Sequence, residues 1–471
     1  MEPTNTEQLV ATELGTTHRQ ILQAKMRSLL HSIDEVQSYE VYGKLLSAIG
    51  TSIEAYLPNV KVGDLCRIKN SDTSPGLLAE VVSLSQDSVR LLPFGNIANI
   101  SQNSLITRIG IEFHIKVGDF LLGKVVDGFG KITANLDPDG HVHDEHATNF
   151  ELRPIYSLAP DPYSRPLIDA PMLTGVKAID LLNTCGGGQR VGIFAGPGVG
   201  KTTLMGMIIR NSQVDVVVVG LVGERGREVR EFIDLEIGKE AAAKCVIVVA
   251  TSDRPAVEQL KCAYVAQTIA EYFRDQGKNV LLFVDSITRF ARAGREVGLS
   301  SGEQIVRGGY PPSVFLSFPR LMERAGKNLA GSITAFYTVL MEGENTSNDP
   351  IADEVRSILD GHIILSKKLA ERGHFPAIDN LKSLSRVADR IISTDHANAA
   401  RRIRLLLSQY EELEFLLRVG EYKEGNDALA DEAVRKNKAI EKLLQQDTRE
   451  LEGFNGSLAE LIQLSIIVPG L

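Results

Sequence analysis

Residues 195–203 read AGPGVGKTT, between an apolar run at Arg190–Phe194 and a helix-forming run, TTLMGMIIR. A strand that turns through glycines into a helix N-terminus is the context a phosphate-binding loop requires. This motif constrains the fold more than any other feature, because such a loop sits at the C-terminal edge of an open α/β sheet. Gly198 and Gly200 let backbone N–H groups wrap an anion where the helix dipole also favours negative charge. Lys201 is expected to reach the β- and γ-phosphates, Thr202 to offer its hydroxyl to Mg²⁺ and Thr203 to add a phosphate contact, with Pro197 and Val199 completing the loop. Alanine at 195 departs from the commoner glycine, a change the turn is expected to tolerate.

The runs RVGIFAG, VDVVVVGLVG, CVIVVAT, NVLLFVDS and SITAFYTVL alternate with helical segments between about 110 and 380. Short apolar runs separated by helices predict a parallel sheet buried on both faces, a doubly wound α/β core. Ahead of it, KVGDLCRI, GLLAEVVSL and SVRLLPF, broken by SDTSPG and SQD, predict a small β-barrel or sandwich. After Asp395 the pattern turns helical, in AARRIRLLLSQYEELEFLLR and DALADEAVRKNKAIEKLLQQ, separated by GEYKEGN. Near the start, Ile21, Leu22, Met26, Leu29, Leu30 and Ile33 recur at three- and four-residue spacings, an amphipathic helix suited to packing on its own domain or docking a partner. The expected division is a helical segment 1–40, a β-barrel-like domain 41–108, a P-loop domain 109–385 and a C-terminal helical domain 386–471.

A chain of 471 residues is too long for one core. Its 43% hydrophobic and 24% charged residues are the balance of a soluble globular protein. The most apolar run, 214–223, already holds Asp215 and is too short to span a bilayer. No basic-then-apolar leader opens the chain, so a cytosolic location is expected. Cys66, Cys185, Cys245 and Cys262 lack metal-ligand spacing and read as free thiols. A net charge of −9 argues against a nucleic-acid backbone as the main ligand.

Three further groups point at the same sheet edge. Asp285 ends the apolar run VLLFVD, where a carboxylate can hold Mg²⁺ directly or through water. Glu224 comes after another strand in VGERGREVREF, placed to orient an attacking water. Arg225 and Arg289, each just beyond a strand end, are candidates to neutralise phosphate charge.

Together with the phosphate loop, GVKAIDLLNTCGGGQRVGIF, GERGREV, VDSITRFARAGREVG, RGGYPPSVF, GSITAFYTVL, DEVRSILDGHIILSKKLAERG and FPAIDNLKSLSRV resemble the type III secretion ATPases of flagella and injectisomes, relatives of the catalytic subunit of rotary ATP synthases. The resemblance spans about 110–395 and implies a RecA-like P-loop core with a mainly parallel sheet, flanked by an N-terminal β-barrel and C-terminal helices. It implies ATP and Mg²⁺ as ligands, with Lys201 and Thr202 on phosphate and metal, Glu224 activating water, Asp285 supporting the metal, Arg225 and Arg289 on phosphate, and Phe375 stacking on adenine. Arg386, in SLSRV, matches the position from which a neighbouring subunit inserts an arginine, with Arg356 the alternative. A homohexameric ring is implied, with a stator-like regulator at the N-terminal segment, a coiled-coil stalk in its centre, chaperone–substrate complexes at the C-terminal helices, and peripheral attachment to an export gate at the bacterial inner membrane. TCGGGQRVGIFAG and LKSLSRV lean toward the injectisome branch, and the flagellar branch stays open. DSITRFARA and VRGGYPPS also resemble the hexameric Rho-type RNA motor, but residues 1–110 lack aromatics interleaved with basic residues. A rotary catalytic subunit is a further alternative, and a non-catalytic nucleotide-binding subunit is disfavoured by the presence of Glu224.

Overall fold

Between Tyr42 and Arg108, short strands with alternating burial close on themselves. This computed structural model describes residues 25–26, 41–70, 76–98, 100–136, 149–341, 349–425, 427–451 and 453–467; of the helix expected over Ile21–Ile33, all but Lys25 and Met26 lie outside them. The barrel order is Tyr42–Ile49, Ser52–Tyr56, Val89–Pro93, Leu77–Leu84, Leu65–Lys69 and Leu105–Arg108, every neighbour antiparallel and the last strand pairing back to the first. Closure leaves no open edge, which resolves the barrel-or-sandwich alternative toward the barrel. Ile53, Ala55, Cys66, Ile68, Val81, Leu91 and Ile106 fill its interior.

The central sheet has ten strands. Across it run Leu384–Ser385, Gly361–Ile364, Arg190–Ala195, Ser332–Leu340, Asn279–Asp285, Val216–Val222, Cys245–Ala250, Lys124–Asp127 and Ile132–Asn135, with Gly326–Lys327 paired on the side of Ser332–Leu340. Pairing along this order is parallel from Gly361–Ile364 to Lys124–Asp127 and antiparallel at the two margins, and Gly326–Lys327 is also antiparallel to its partner. Every residue of Val216–Val222 is buried, as a strand covered on both faces must be. One face packs on the helices Ala256–Asp275, Ile287–Ser300, Pro312–Met322 and Pro350–Ile358 through residues such as Phe273, Phe290, Phe318 and Val355. The other packs on Lys177–Leu182, on the helix Lys201–Asn211 that continues from the phosphate loop, and on the C-terminal helices.

Those C-terminal helices are Thr394–Val419, Ala428–Leu444 and Phe454–Ser465. The first is capped by the Ser393 side chain accepting from His396 N–H and ends at Gly420, whose φ of 74° favours glycine. The third is not evident in the sequence pattern. It buries only Ser457 and Leu461 fully, too narrow a stripe to stand out by period. The bundle is anchored on the core by Arg404, which donates to Leu182 O and Asn183 Oδ1, both at 2.7 Å. All four cysteines are buried free thiols, as expected.

Two buried cations tie the layers together. Lys261, fully buried, bonds Glu80 of the barrel at 2.5 Å and Tyr156 Oη at 3.0 Å, with its ammonium over the rings of Phe94 and Phe113. Arg324, also fully buried, grips Glu271 two-pronged at 2.7 Å through Nε and Nη2 and donates to Thr268 at 3.0 Å and Ile155 O at 2.5 Å. Removing only the carboxylate strands a buried charge, so Glu271→Ala is expected to cost about 3–5 kcal/mol. The paired change Arg324→Met with Glu271→Leu, which removes both charges at similar volume, is expected to cost far less. Urea unfolding of both variants measures the difference, and equal losses would show that the pairing carries no weight of its own.

Candidate active site

Parallel pairing sends Arg190–Ala195, Val216–Val222 and Asn279–Asp285 to the same sheet edge, so the segments leaving their C-terminal ends converge there. After the first comes the phosphate loop. Ala195 is the last strand residue, fully buried and outside the left-handed region, so a side chain there brings no strain. Gly198 and Gly200 adopt φ of 74° and 89°, which glycine alone takes readily. Gly200 opens the helix Lys201–Asn211 and no side chain caps it, so the first-turn N–H groups are left for an anion.

Lys201 Nζ sits 2.5 Å from Asp285 Oδ1 and 3.8 Å from Glu224 Oε1. Asp285 Oδ1 also accepts from the Thr338 hydroxyl at 2.5 Å. Ser286 caps the next helix by accepting from Arg289 N–H, and this fixes the root of Arg289. The Arg289 guanidinium then reaches back to Glu224 Oε2 at 3.1 Å and donates to Gly223 O. Glu224 is buried, and its Oε1 has no hydrogen-bond partner among the described residues. Burial and the nearby Asp285 carboxylate push its pKa up to about 7, against the pull of Lys201 and Arg289.

A cavity of about 240 Å³ is lined by Thr202, Glu224, Glu228, Phe232 and Asp285. Mg²⁺ prefers hard oxygen donors and keeps several waters. The Thr202 hydroxyl, the Asp285 carboxylate and the orphaned Glu224 oxygen supply that donor chemistry around one space, so the residues present fit the ion. Phe375, 45% exposed, lies against the loop: a Cβ added at Gly200 would sit 3.7 Å from its ring. A second, larger cavity of about 550 Å³ touches the loop only at Gly196, Pro197 and Val199 and runs toward Leu369, Tyr410 and Leu444 of the C-terminal side. Glu224 and Asp285 line the smaller cavity and Lys201 bonds Asp285, so the chemistry belongs there.

Of the sequence candidates, Lys201, Glu224, Asp285 and Arg289 form one cluster, with Thr202 on its cavity. Arg225 does not join it. Its side chain is 77% exposed and its nearest carboxylate is Glu228 at 3.6 Å, because it is the cap residue of Gly226–Glu231 and points outward along that helix. Arg386 is likewise outside it, exposed just past the outermost strand Leu384–Ser385, with its backbone N–H on Asp360 O at 3.0 Å. Thr338 and Ser286, which orient Asp285 and Arg289, carry no signal in the sequence, since a threonine inside SITAFYTVL looks like any β-branched strand residue.

The ATP synthase alpha/beta family matches twice, its beta-barrel domain over residues 45–110 and its nucleotide-binding domain over 175–385, and the T3SS EscN ATPase C-terminal domain matches 392–463. The type 3 secretion system ATPase of Xanthomonas euvesicatoria is 49% identical over 424 residues, 90% of this chain and 94% of that protein. The flagellum-specific ATP synthase of Bacillus subtilis is 46% identical over 445 residues, 94% of this chain and 99% of that protein. The solved structure of the assembled ATPase EscN in complex with its central stalk EscO, from the type III secretion system of enteropathogenic E. coli, aligns with a TM-score of 0.81 at 47% identity, covering 90% of this chain and 100% of that one.

Proposed function

We propose that this chain, which belongs to the type 3 secretion system ATPase family, is the motor of a protein-secretion apparatus, hydrolysing ATP in a homohexameric ring to release and unfold chaperone-bound substrates and feed them to an export gate. The observation that carries the enzymatic part is the cluster of Lys201, Glu224, Asp285 and Arg289 at the phosphate loop.

Without nucleotide the Lys201 ammonium is neutralised by Asp285. When ATP enters, the phosphates compete for that ammonium, and the loop N–H groups of Gly198 to Thr202 take the remaining negative charge. Thr202 and Asp285 would hold Mg²⁺, which when bound spreads the charge of the β- and γ-phosphates. Glu224, fixed by Arg289, presents its free Oε1 to a water and holds it in line with the γ-phosphorus. As the water attacks, its proton is drawn toward the Glu224 carboxylate while the bond to the ADP oxygen breaks. Phe375 offers its exposed face to adenine. Arg386 of an adjacent subunit meets the charge that develops on the transferred group.

The match to the EscN C-terminal domain and the resemblance carried by TCGGGQRVGIFAG favour the injectisome branch. Identity of 46% to a flagellum-specific relative keeps flagellar export as the second reading. EscN is described with a central stalk, and by analogy a coiled-coil stalk is proposed here, with a stator-like regulator at residues 1–40 and chaperone–substrate complexes at the C-terminal helices. Among the described residues no helix is long and apolar enough to cross a membrane, and a cytoplasmic position at the inner membrane is proposed from the family.

Hydrolysis per chain is expected to rise with protein concentration as rings assemble, and to track the ring fraction seen by light scattering. A rate per chain that stays flat from monomer to ring would remove the interface site from the proposal.

A further inference from the structure

Phe375, read above as the platform for adenine, is 45% exposed, so its orientation is set by the backbone that carries it rather than by packing around the ring. The ring lies against the phosphate loop, yet that backbone is held from elsewhere. The Phe375 carbonyl accepts from Gln446 N–H at 3.0 Å, and His374 Nδ1 is 3.3 Å from Gln445 Nε2. Two consecutive glutamines that follow the C-terminal helix Ala428–Leu444 grip two consecutive residues on the adenine side of the site.

Gln446 is buried, and its amide is fully engaged. Oε1 accepts from Lys177 N–H at 2.9 Å, and Nε2 donates to Gly175 O at 2.9 Å and to Glu450 O at 3.1 Å. Lys177 opens the helix Lys177–Leu182, which has no side-chain cap of its own at Val176, so Gln446 supplies the missing acceptor from the far end of the chain. Gly175 O also accepts from Asn211 Nδ2 at 3.4 Å, and Asn211 is the last residue of the helix that begins at the phosphate loop. The strap 446–450 is tied down twice more, by Lys177 Nζ on Glu450 Oε1 at 2.6 Å and by Arg210 on Thr448 O at 2.8 Å. An amide with its acceptor and both donors used holds the strap in one place, because any shift leaves buried polar groups unpaired.

We infer that Gln446 is a positioning residue for the nucleotide: by locking the strap to the core it fixes the Phe375 carbonyl, and so sets how the Phe375 ring meets the adenine base. This rests on the adenine reading of Phe375. It gives the C-terminal helical domain a share of nucleotide affinity through one main-chain bond. The phosphate chemistry is left apart, since Lys201, Glu224, Asp285 and Arg289 make their contacts to one another without the strap.

The test uses the full-length chain, with Mg²⁺-ADP as the probe that carries a base and tripolyphosphate as the probe without one. Gln446→Ala is expected to weaken ADP binding about 3- to 10-fold, the net worth of a hydrogen bond, and to leave tripolyphosphate binding unchanged. In hydrolysis it is expected to raise KM for ATP while kcat stays at the wild-type level. Phe375→Ala is expected to weaken ADP about 5- to 150-fold, the worth of a base stacked on an aromatic ring. In the double variant Gln446→Ala is expected to add nothing further, because the ring it positions is gone. Glu450→Ala, at a partly exposed position, loosens the same strap without opening a buried site, and is expected to act in the same direction; it carries the test if Gln446→Ala does not fold. Equal weakening of ADP and tripolyphosphate would mean that the strap merely supports the phosphate loop, and would overturn the inference. So would wild-type ADP affinity in the strap variants, or full additivity with Phe375→Ala. In those cases the adenine reading stands, provided that Phe375→Ala weakens ADP and not tripolyphosphate. If Phe375→Ala leaves ADP binding unchanged, the adenine reading falls and this inference with it.

Discussion

Rings of Arg386→Ala are expected to lose about 10³- to 10⁵-fold in kcat while assembling and binding nucleotide as the wild type does, because an arginine offered across an interface meets charge that exists only in the transition state. The structure frames this expectation by exclusion. Arg386 stands exposed beyond the outermost strand and takes no part in the ion pairs of its own Lys201–Glu224–Asp285 cluster. Its backbone is nonetheless fixed by the bond to Asp360, which itself holds Arg190 of the phosphate-loop strand at 2.9 Å. A residue anchored at the root and free at the tip suits a role beyond its own chain. Single-turnover hydrolysis by assembled rings, with KM read separately, decides it. A mutant with raised KM and unchanged kcat would mean ground-state binding only.

Glu224→Gln is expected to lower hydrolysis by about 10²- to 10⁴-fold with ATP still bound, since the amide cannot accept the proton of the attacking water. The same substitution carries a stability signature with a definite sign. The folded pKa of Glu224 lies near 7, above its ordinary 4.5, so the folded chain holds this proton more tightly than the unfolded chain does. Stability from the group is therefore full below about pH 4.5 and is lost as pH rises toward 7. Glutamine removes that loss, so the variant is expected to unfold later than wild type at pH 8, by up to about 3 kcal/mol, and to show a much smaller gain at pH 5. Thermal scans at the two pH values measure it. An equal shift at both would mean that Glu224 titrates normally, and that its orphaned oxygen is solvated rather than reserved for a catalytic water.

Much of the architecture is legible in the chain. The five apolar runs expected to be parallel strands are strands, and parallel, because a strand covered on both faces has no polar alternative to its continuous apolar sequence. The barrel is legible as β-rich but not as closed, since closure depends on Tyr42–Ile49 finding Leu105–Arg108, a pairing that no local pattern announces. The helix Phe454–Ser465 escapes a reading of the chain because its burial is decided by the surface it lands on.

The site divides in the same way. Lys201, Thr202, Glu224 and Asp285 are readable because each ends a strand, comes just after one or opens a helix, at a position where backbone geometry dictates where the side chain emerges. Thr338, Ser286 and the outward turn of Arg225 are not, because each depends on what stands across from it in space. Arg356 is the strongest case. In sequence only the family resemblance singles it out, as an alternative to Arg386, and only the tertiary structure shows its Nε and Nη2 buried, its guanidinium over Phe194, and those two donors without a partner among the described residues. Sequence determines the order of strands and the chemistry at their ends, through backbone preferences that act over a few residues. Which side chains pair, and which are left without a partner, is decided by packing between residues tens to hundreds of positions apart.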